Sequence, residues 1–238
     1  KRTSTFSEIE STYTLMEAVE EAKRCLNCSG CCDCMQCVEH CQRGAVDHEM
    51  EEVEQTLNVG AVILSPGFDN YKPRKGGSLG YGLYPNVLTS IEFERMLSAS
   101  GPYKGHVKRL SDGEEPKRIA WLQCVGSRDE SCDHKYCSSV CCMYAIKEAV
   151  IAKEHVPGLE THVYFMDMRS FGKDFDRYYE RAQSEYGVVF RRSRIPRIEQ
   201  DRATKNLKVR YIDEDGNVRT DDYDMVVLSI GLQPCSTM

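Results

Sequence analysis

Hydrophobic positions along this 238-residue chain follow two different periods. Three short apolar runs have the length of buried strands, and between them lie two longer segments with apolar residues at helical spacing. The strand candidates are KRIAWLQ (117–123), THVYFMD (161–167) and GVVF (187–190), and the helix candidates are YCSSVCCMYAIKEAVIAKEH and KDFDRYYERAQSEY. Because right-handed crossovers turn such repeats into parallel strand pairs, this order predicts a parallel sheet with helices packed on it.

The segment that follows this repeat has a different pattern. NLKVRYIDEDGNVRTDDYDMVVLSI predicts two antiparallel strands joined at Asp215-Gly216, and then a strand that returns to the sheet. Together with the strand–helix repeat, it predicts an α/β fold: a Rossmann-like parallel sheet of the NAD(P)-domain type with an antiparallel meander.

Two helices and one further strand are predicted outside this unit. TLMEAVEEAK has its apolar residues on one helical face, so residues 14–23 are predicted to be helical, and TSIEFERMLSAS predicts a helix capped by Thr89 or Ser90. NVGAVILSPGFDNY (58–71) predicts an apolar strand that ends in a glycine turn. Its VILS-x-G sequence returns as VVLS-x-G at 226–231, which resembles the paired strands that flank the inserted NAD(P) domain of flavoproteins such as thioredoxin reductase.

Composition narrows the class of protein. The formal net charge of −6 argues against nucleic acid as a partner, and no apolar run approaches the roughly 20 residues of a membrane span. The first residues, KRTSTFSEIE, lack the apolar core of a signal peptide, so a cytoplasmic protein is predicted. The chain does not begin with Met and ends just after a predicted strand, which leads us to expect a piece of a longer protein.

Cysteine is the most informative residue type in the sequence. Of the 13 cysteines, seven fall between 25 and 41 and five between 124 and 142, whereas Cys235 stands apart and is expected to be a buried apolar residue. Cysteines this close in sequence cannot close useful disulfide loops, and the chain has no secretion signal. Two dense groups therefore indicate metal binding.

The first group has the spacing of an iron-sulfur segment. Its last four spaced cysteines spell CxxCxxCxxxC, as in bacterial ferredoxins, but Gln42 replaces the usual proline and no second complete run follows. One 4Fe-4S cluster is predicted here, and a second requires a ligand from elsewhere because seven cysteines cannot supply eight. The leading ligand candidates are Cys31, Cys34 and Cys37, followed by Cys25, Cys28 and Cys41, with Cys32 as the spare. Zinc, which also binds CxxC pairs, is the alternative.

The second group lies where a nucleotide loop would stand. The stretch CVGSRDESCDHKYCSSVCC holds a single glycine instead of GxGxxG, so nicotinamide binding is not expected. A helix N-terminus favours other anions as well, and an iron-sulfur cluster held by four thiolates is one. Cys124 ends the strand, Cys137 and Cys141 share a helical face, and Cys142 can reach the same cluster only near a helix start. Cys132 is the expected bystander.

These motifs also resemble a known family. RIAWLQCVGSRD, YCSSVCCMYAIKEA, MDMRSFGKDFDRYYERA and GYGLYPNVLTSIEFERMLSASGPY are similar to the A subunit of heterodisulfide reductase and its bacterial homologues, from about Gly60 to Gly231. The resemblance implies a 4Fe-4S cluster on the positions matching the family's ligands, which are Cys124, Cys137, Cys141 and Cys142. The segment EEAKRCLNC is instead similar to the iron-sulfur domain of glutamate synthase small subunits.

The resemblance also implies cofactors and partners. The family's A subunit binds FAD and can split electron pairs, so FAD is expected in the intact parent protein, with Gly67 and Phe68 as the flavin-proximal candidates here. Expected partners are other redox subunits in a hetero-oligomeric complex: heterodisulfide reductase B and C subunits, a hydrogenase or formate dehydrogenase, and ferredoxin. RRSRIPR (191–197) is predicted to be a solvated or ion-paired face, with a docking patch for an acidic ferredoxin as the alternative.

The predicted organisation has four parts. Residues 1–48 form a small α-helical iron-sulfur segment, 49–116 belong to a FAD-type domain and linker, 117–231 form the Rossmann-like domain with the second cluster, and 232–238 return to the FAD-type domain. The predicted function is electron transfer in an iron-sulfur, flavin-linked oxidoreductase. The alternative is a zinc-dependent interaction module built on a degenerate Rossmann-like domain.

Overall fold

The fold is known from a computed structural model that describes residues 13–23, 35–99 and 101–235. Contacts divide the chain into two units, Lys1–Val62 and Ile63–Met238. The boundaries of the four predicted parts remain a prediction.

The first unit contains two helices among its described residues. Helix α1 (Leu15–Lys23) matches the predicted span 14–23, and its start is capped reciprocally: the backbone N–H of Glu17 donates to Oγ1 of Thr14, and the Thr14 N–H donates to the Glu17 carboxylate. Helix α2 is short (Gln36–His40). Five of the seven cysteines of the predicted iron-sulfur segment lie outside the described residues, so a helical iron-sulfur domain stays a prediction.

The second unit holds the sheets and the remaining helices. In chain order its elements are β1 (Phe68–Asn70), β2 (Val87–Thr89), α3 (Ser90–Leu97), β3 (Arg118–Val125), a 3-10 turn (Glu130–Cys132), α4 (Cys141–His155), β4 (Glu160–Phe165), α5 (Phe175–Ser184), β5 (Val189–Arg192), β6 (Ile198–Gln200), β7 (Leu207–Ile212), β8 (Val218–Tyr223), β9 (Met225–Ile230) and β10 (Leu232–Pro234).

The central sheet has five parallel strands in the order β2-β9-β3-β4-β5. Its β3-α4-β4-α5-β5 portion is the predicted strand–helix repeat, so the α/β fold class and the Rossmann-like sheet are confirmed. The carboxyl ends of the strands lie along one edge of such a sheet, and that edge is where open α/β folds bind their ligands.

Alternating side chains of β3 pack into two different cores. Ile119 and Trp121 lie among residues of α3 and α4, whereas Ala120 and Leu122 contact the antiparallel strands. All four are buried, as expected for a parallel strand covered on both faces.

The antiparallel strands form a separate sheet with the order β6-β7-β8. Strands β7 and β8 pair from Leu207 opposite Tyr223 to Ile212 opposite Val218, and Gly216 takes a φ of 83° in the turn between them. The predicted antiparallel pair, its turn and the returning strand β9 are therefore confirmed.

One predicted strand is wrong over most of its length. Residues 59–67 form neither helix nor strand, and Val62, Ile63 and Leu64 are 72%, 91% and 75% exposed. Only β1 pairs, antiparallel to β10, at the end of the predicted span. An apolar stretch becomes a strand only where its backbone finds a partner, and the described residues offer none to 59–67.

The helix predicted before the sheet is confirmed together with its cap. Thr89 is the N-cap of α3: its Oγ1 accepts from the backbone N–H of Glu92 at 3.3 Å, and the Glu92 carboxylate accepts from the Thr89 N–H at 2.7 Å. Because this reciprocal capping box satisfies two otherwise free backbone donors, it fixes the point where β2 passes into α3.

Candidate metal centre

The strand that holds the first cysteine of the loop is distorted at its end. The pairing of β3 with β9 shifts register between Leu122 and Val125. Cys124 lies within this irregularity with a φ of 59°, a left-handed conformation that is uncommon for any residue other than glycine. Bulges of this kind re-aim a side chain. The distortion gives Cys124 an orientation that regular strand alternation would not.

The chain leaves β3 through a turn that packs against an aromatic ring. Gly126 has a φ of 70°, and a Cβ at this position would lie 2.1 Å from ring atoms of Tyr71. Further along, the backbone N–H of Arg128 donates to the Tyr136 carbonyl at 2.8 Å, and Oγ of Ser127 donates to the same oxygen at 3.1 Å. These contacts fold the loop back so that its two ends approach each other.

Helix α4 begins later than the sequence predicts. The predicted helix ran from Tyr136, whereas α4 starts at Cys141, because Ser139 takes a left-handed φ of 61°. The expectation that Cys137 shares a helical face with Cys141 is therefore wrong. Cys141 and Cys142 are the first two residues of α4 and are 5% and 6% exposed. The sequence predicts that Cys141 and Cys142 can reach one cluster only near a helix start, and they do lie at such a start.

The four cysteines line one small cavity. Cys124 comes from the end of β3, Cys137 from the loop, and Cys141 and Cys142 from the start of α4. The other residues of its wall are Ser127, Arg128, Ser139, Val140, Asp167 and Arg169. The fold thus brings the four predicted loop ligands together, although they span 19 positions in sequence and three structural segments.

The thiols surround the cavity without converging on one point. In the parts of the chain that the structure describes, no three His, Cys, Asp or Glu side chains are grouped closely enough to hold a metal ion. Binding of one metal group by all four thiols would therefore require them to lie closer together. The choice of these four cysteines as ligands stays a prediction.

Burial favours the protonated form of two of these thiols, Cys124 and Cys141. Burial raises the pKa of Cys124 to about 11, with the nearby Cys142 thiol as the next cause, and raises that of Cys141 to about 12, with Cys124 next. Because each of these cysteines influences the pKa of another, the thiols lie in one electrostatic environment. Iron binds thiolates, so loading this site would release protons.

Backbone amides and two arginines lie close to the sulfurs of this cavity. The N–H of Ser139 donates to Sγ of Cys137 and the N–H of Arg169 donates to Sγ of Cys142, each at 3.4 Å. Arg128 and Arg169 both lower the pKa of Cys124. Four thiols, N–H donors to sulfur and two cations suit an anionic iron-sulfur cluster.

The remaining cysteine of this loop lies outside the cavity wall. Sγ of Cys132 donates to the Asp129 carbonyl at 3.5 Å. Burial raises the pKa of Tyr71, and the nearby Cys132 adds to this effect. Cys132 therefore faces the Tyr71 side of the loop. This position is compatible with its predicted role as a bystander, which stays a prediction.

The first cysteine group lies largely outside the described residues. The residues that the structure does not describe include Cys25, Cys28, Cys31, Cys32 and Cys34. Cys37 is described as part of helix α2. Sγ of Cys41 accepts from the N–H of Ala45 at 3.3 Å, and this bond, with further loop N–H groups, lowers the pKa of the Cys41 thiol. The loop after Cys41 is thus arranged to favour a thiolate.

A wider cavity of about 520 Å³ adjoins the carboxyl ends of β3 and β4. It includes Cys124, so this residue borders both cavities, and Tyr71, Tyr81 and Tyr164 supply aromatic surface. The flavin candidates Gly67 and Phe68 are exposed and are not part of its wall, and Phe68 pairs with Pro234 at the β1–β10 edge.

The arginines of RRSRIPR are paired with acidic residues. Arg191 pairs with Asp221, Arg192 with Asp167, Arg194 with Asp129 and Arg197 with Glu199. These contacts support the ion-paired face that the sequence predicts. Asp167, two residues beyond β4, is where a ribose-binding acid would stand, but its carboxylate instead accepts from Arg128 at 2.8 Å.

None of the helices in the described parts of the chain has the length and apolar character of a membrane span. The fold and the small cavity together define the class: an α/β protein with a Rossmann-like sheet whose nucleotide loop is replaced by a cysteine-rich loop.

Comparison with known proteins gives a more particular result. The chain is 46% identical over 199 residues to the A subunit of the H(2):CoB-CoM heterodisulfide,ferredoxin reductase of Methanothermobacter thermautotrophicus, covering 82% of this chain and 30% of that protein. It is 50% identical over 189 residues to the second iron-sulfur A subunit of the CoB–CoM heterodisulfide reductase of Methanopyrus kandleri, covering 79% and 28%.

A third relative is the A subunit of the ferredoxin/F(420)H(2)-dependent CoB-CoM heterodisulfide reductase of Methanosarcina acetivorans, which is 37% identical over 195 residues, covering 82% of this chain and 24% of that protein. No protein-family profile matches the chain. A solved 2-naphthoyl-CoA reductase complex is similar with a TM-score of 0.41 and 14% identity over 70% of this chain and 19% of that one, which is too weak to support an argument.

The matched part of this chain belongs to the A-subunit family of heterodisulfide reductases, and these three relatives are oxidoreductase subunits. The chain spans less than a third of the length of each of them.

Proposed function

We propose that this chain is the electron-relaying part of an iron-sulfur, flavin-linked oxidoreductase, and that it passes single electrons between FAD and partner redox subunits. The observation that carries the proposal is the small cavity lined by Cys124, Cys137, Cys141 and Cys142 at the strand ends of the Rossmann-like sheet. A 4Fe-4S cluster there would supply one-electron chemistry, and the chain would supply its ligands and surroundings.

The start of α4 supports an anionic occupant. The N-cap residue Val140 makes no side-chain hydrogen bond to the first turn of this helix. The free N–H groups of a first turn, together with the helix dipole, favour negative charge. Cys141 and Cys142 occupy that first turn, so their sulfurs lie where the helix stabilises an anion best.

The backbone around the cavity is suited to tuning a cluster. The N–H groups of Ser139 and Arg169 already donate to the sulfurs of Cys137 and Cys142. Hydrogen bonds to ligand sulfurs withdraw electron density and raise a cluster's reduction potential. The strained Cys124 backbone keeps the fourth thiol at the cavity wall.

At least one more 4Fe-4S cluster belongs to the proposal. Its ligands come from Cys25, Cys28, Cys31, Cys34, Cys37 and Cys41. The hydrogen bond from the Ala45 N–H to Sγ of Cys41 is the described feature that supports it, because loop amides stabilise a ligand thiolate. With both sites occupied, the chain would transfer electrons through at least two successive clusters.

FAD is proposed for the intact parent protein. The wide cavity supports a flavin ring near this chain, because Tyr71 and Tyr81 offer aromatic surface and Cys124 borders both this cavity and the small one. A ring held there would stand next to the loop cluster. Gly67 and Phe68 would then contact the flavin, if at all, from the β1–β10 edge, because neither residue lines this cavity.

The proposed setting is a hetero-oligomeric complex. The relatives' names contain ferredoxin, H(2) and formate, in addition to CoB-CoM heterodisulfide. These names support partners of the ferredoxin, hydrogenase, formate dehydrogenase and heterodisulfide reductase B or C type. Electron bifurcation between two acceptors is the most specific form of the proposal.

Anaerobic purification of the intact protein tests the proposal through iron, acid-labile sulfide, zinc and flavin analysis. We expect iron and sulfide in equal amounts, at about eight or more of each per chain, because each 4Fe-4S cluster contributes about four of each. Zinc without sulfide would refute the proposal and support the interaction module instead.

A pair of serine variants tests the ligand choice. Cys124→Ser should remove one cluster signal from the EPR spectrum of the dithionite-reduced protein, because the serine oxygen is a poor substitute for thiolate. The matched control is Cys132→Ser, a change of the same kind in the same loop but outside the cavity wall, and it should leave the spectrum unchanged. An intact signal in Cys124→Ser would contradict the assignment.

A further inference from the structure

Arg128 has a fixed place in the wall of the small cavity. Its backbone is held by the N–H bond to Tyr136 and takes a left-handed φ of 55°. Its side chain lies along the same wall as the four cysteines. The side chain is only 23% exposed, so its position is set by packing as well as by charge.

The two terminal nitrogens of this guanidinium are in different situations. Nη2 donates to Oδ2 of Asp167 at 2.8 Å. Nη1 is buried and has no hydrogen-bond partner among the described residues. A buried, unpaired donor on a charged group is costly, and native structures rarely retain one without an acceptor nearby. The acceptor that Arg128 lacks is therefore expected within the cavity that it lines.

Other arginines near the cavity differ from Arg128 in this respect. Arg192 also pairs with Asp167, at 3.3 Å, but it is 71% exposed and is not part of the cavity wall. Arg169 lies in the wall, and its backbone N–H already donates to Cys142. Arg128 alone of these three combines a place in the wall with a buried guanidinium nitrogen that has no partner among the described residues.

We propose that Arg128 is a positioning residue that raises the reduction potential of the loop cluster, with its Nη1 group donating to a cluster sulfur. This inference rests on the proposed function. Asp167 holds the other end of the guanidinium and so aims the free nitrogen at the cavity.

The direction of the effect follows from charge. Reduction adds one electron to a cluster that is already anionic, and a fixed cation in a poorly solvated wall stabilises the reduced form more than the oxidised form. A hydrogen bond to sulfur acts in the same direction. Loss of either contribution makes the cluster harder to reduce.

The test is an EPR-monitored redox titration of the intact protein, together with iron and sulfide analysis. The loop cluster is identified as the signal that Cys124→Ser removes. Arg128→Gln should retain the cluster and lower its midpoint potential by an amount equal to about a tenfold change in the one-electron equilibrium constant, or ~59 mV. Arg192→Gln loses the same charge and the same Asp167 partner, and it should leave the potential unchanged.

Arg128→Lys separates charge from hydrogen bonding. Lysine keeps the positive charge but has a single terminal nitrogen, so it cannot bind Asp167 and the cavity through two separate groups. The midpoint potential of the loop cluster in Arg128→Lys should lie between the potentials in the wild type and in Arg128→Gln.

Each outcome decides the inference. A fully loaded Arg128→Gln or Arg128→Lys protein with the wild-type potential overturns it and leaves the proposed function intact. Loss of the cluster from both Arg128 variants, with Arg192→Gln loaded, also overturns it, because Arg128 would then be needed for assembly and not for potential. Absence of any cluster from the wild-type protein would instead refute the proposed function.

Discussion

Trp121 and Glu148 are joined inside the core of the second unit: the indole Nε1–H of Trp121 donates to Oε2 of Glu148 at 2.9 Å. Both side chains are almost fully buried, at 0% and 6% exposure. The bond ties the centre of β3 to the middle of α4, the two elements that supply three of the four cavity cysteines.

The buried carboxyl of Glu148 predicts a stability that depends on pH. Burial raises the pKa of Glu148 well above its usual value, despite the Trp121 bond, which lowers it. Above pH 4.5 the unfolded chain loses this proton while the folded chain keeps it, so stability falls as pH rises toward the folded pKa. Glu148→Gln should be the more stable protein at pH 7, with the difference growing by at most about 1.4 kcal/mol per pH unit.

Urea unfolding from about pH 5 to 8 measures this difference. Glu180→Gln makes the same chemical change at an exposed position of α5 and should show no such trend. If Glu148→Gln and the wild type keep a constant difference across this range, the carboxyl is not protonated in the folded chain.

The buried His162 predicts a folding stability that rises with pH, in contrast to the effect of Glu148, and does so at lower pH. Burial lowers its pKa to about 4, helped by the positive charges of Arg191 and Arg118, and its Nδ1 lies 2.6 Å from the hydroxyl of Tyr223. Between pH 6.5 and 4 the unfolded chain gains a proton that the folded chain does not, so stability is lost as pH falls through this window.

Comparison of the wild type with His162→Gln isolates that contribution. The stability of the wild type relative to the variant should rise between about pH 4 and 6.5 by up to about 3 kcal/mol, at roughly 1.36 kcal/mol per pKa unit. His155→Gln changes an exposed histidine and serves as the control. A flat difference for His162→Gln would mean that the histidine is protonated in the folded protein.

Gly126→Ala should destabilise the loop that carries the cavity cysteines. An added Cβ would lie 2.1 Å from the Tyr71 ring, and the φ of 70° is itself unfavourable for alanine. Gly216→Ala, at a φ of 83° with nothing within 4 Å of the added Cβ, has the backbone cost alone, about 1–2 kcal/mol.

Unfolding of the two alanine variants in urea therefore separates the clash from the backbone strain. Gly126→Ala should be the less stable of the two by about 1–3 kcal/mol, the usual cost of overpacking. Equal stabilities would show that Tyr71 moves aside without cost.

Long periodic segments were predictable because burial on a sheet or helix face imposes their pattern. The strands at 118–125, 160–165 and 189–192 all fall where apolar runs indicate them, and Thr89 caps α3 through a sequence that has the capping-box spacing. Strands β2, β6 and β10 have three residues each, which is too short for a period to be read.

The site was predictable in its residue types but not in its geometry. Cys124 at a strand end follows from the pattern, whereas the irregularity that re-aims it depends on pairing with β9, a strand far along the chain. The left-handed Ser139, which delays α4 to Cys141, has no signal in a sequence of helix-compatible residues. The CVGSRD motif contained Arg128, but only the fold shows that its guanidinium enters the cavity wall.

The exposed stretch at 60–64 has a practical consequence for experiments on this chain. GAVIL is apolar and free of charge, and Val62, Ile63 and Leu64 present their side chains to solvent. Segments of this composition pair readily with copies of themselves, which leads to aggregation. Protein concentration and the length of chain expressed will therefore decide whether stability measurements report unfolding or self-association.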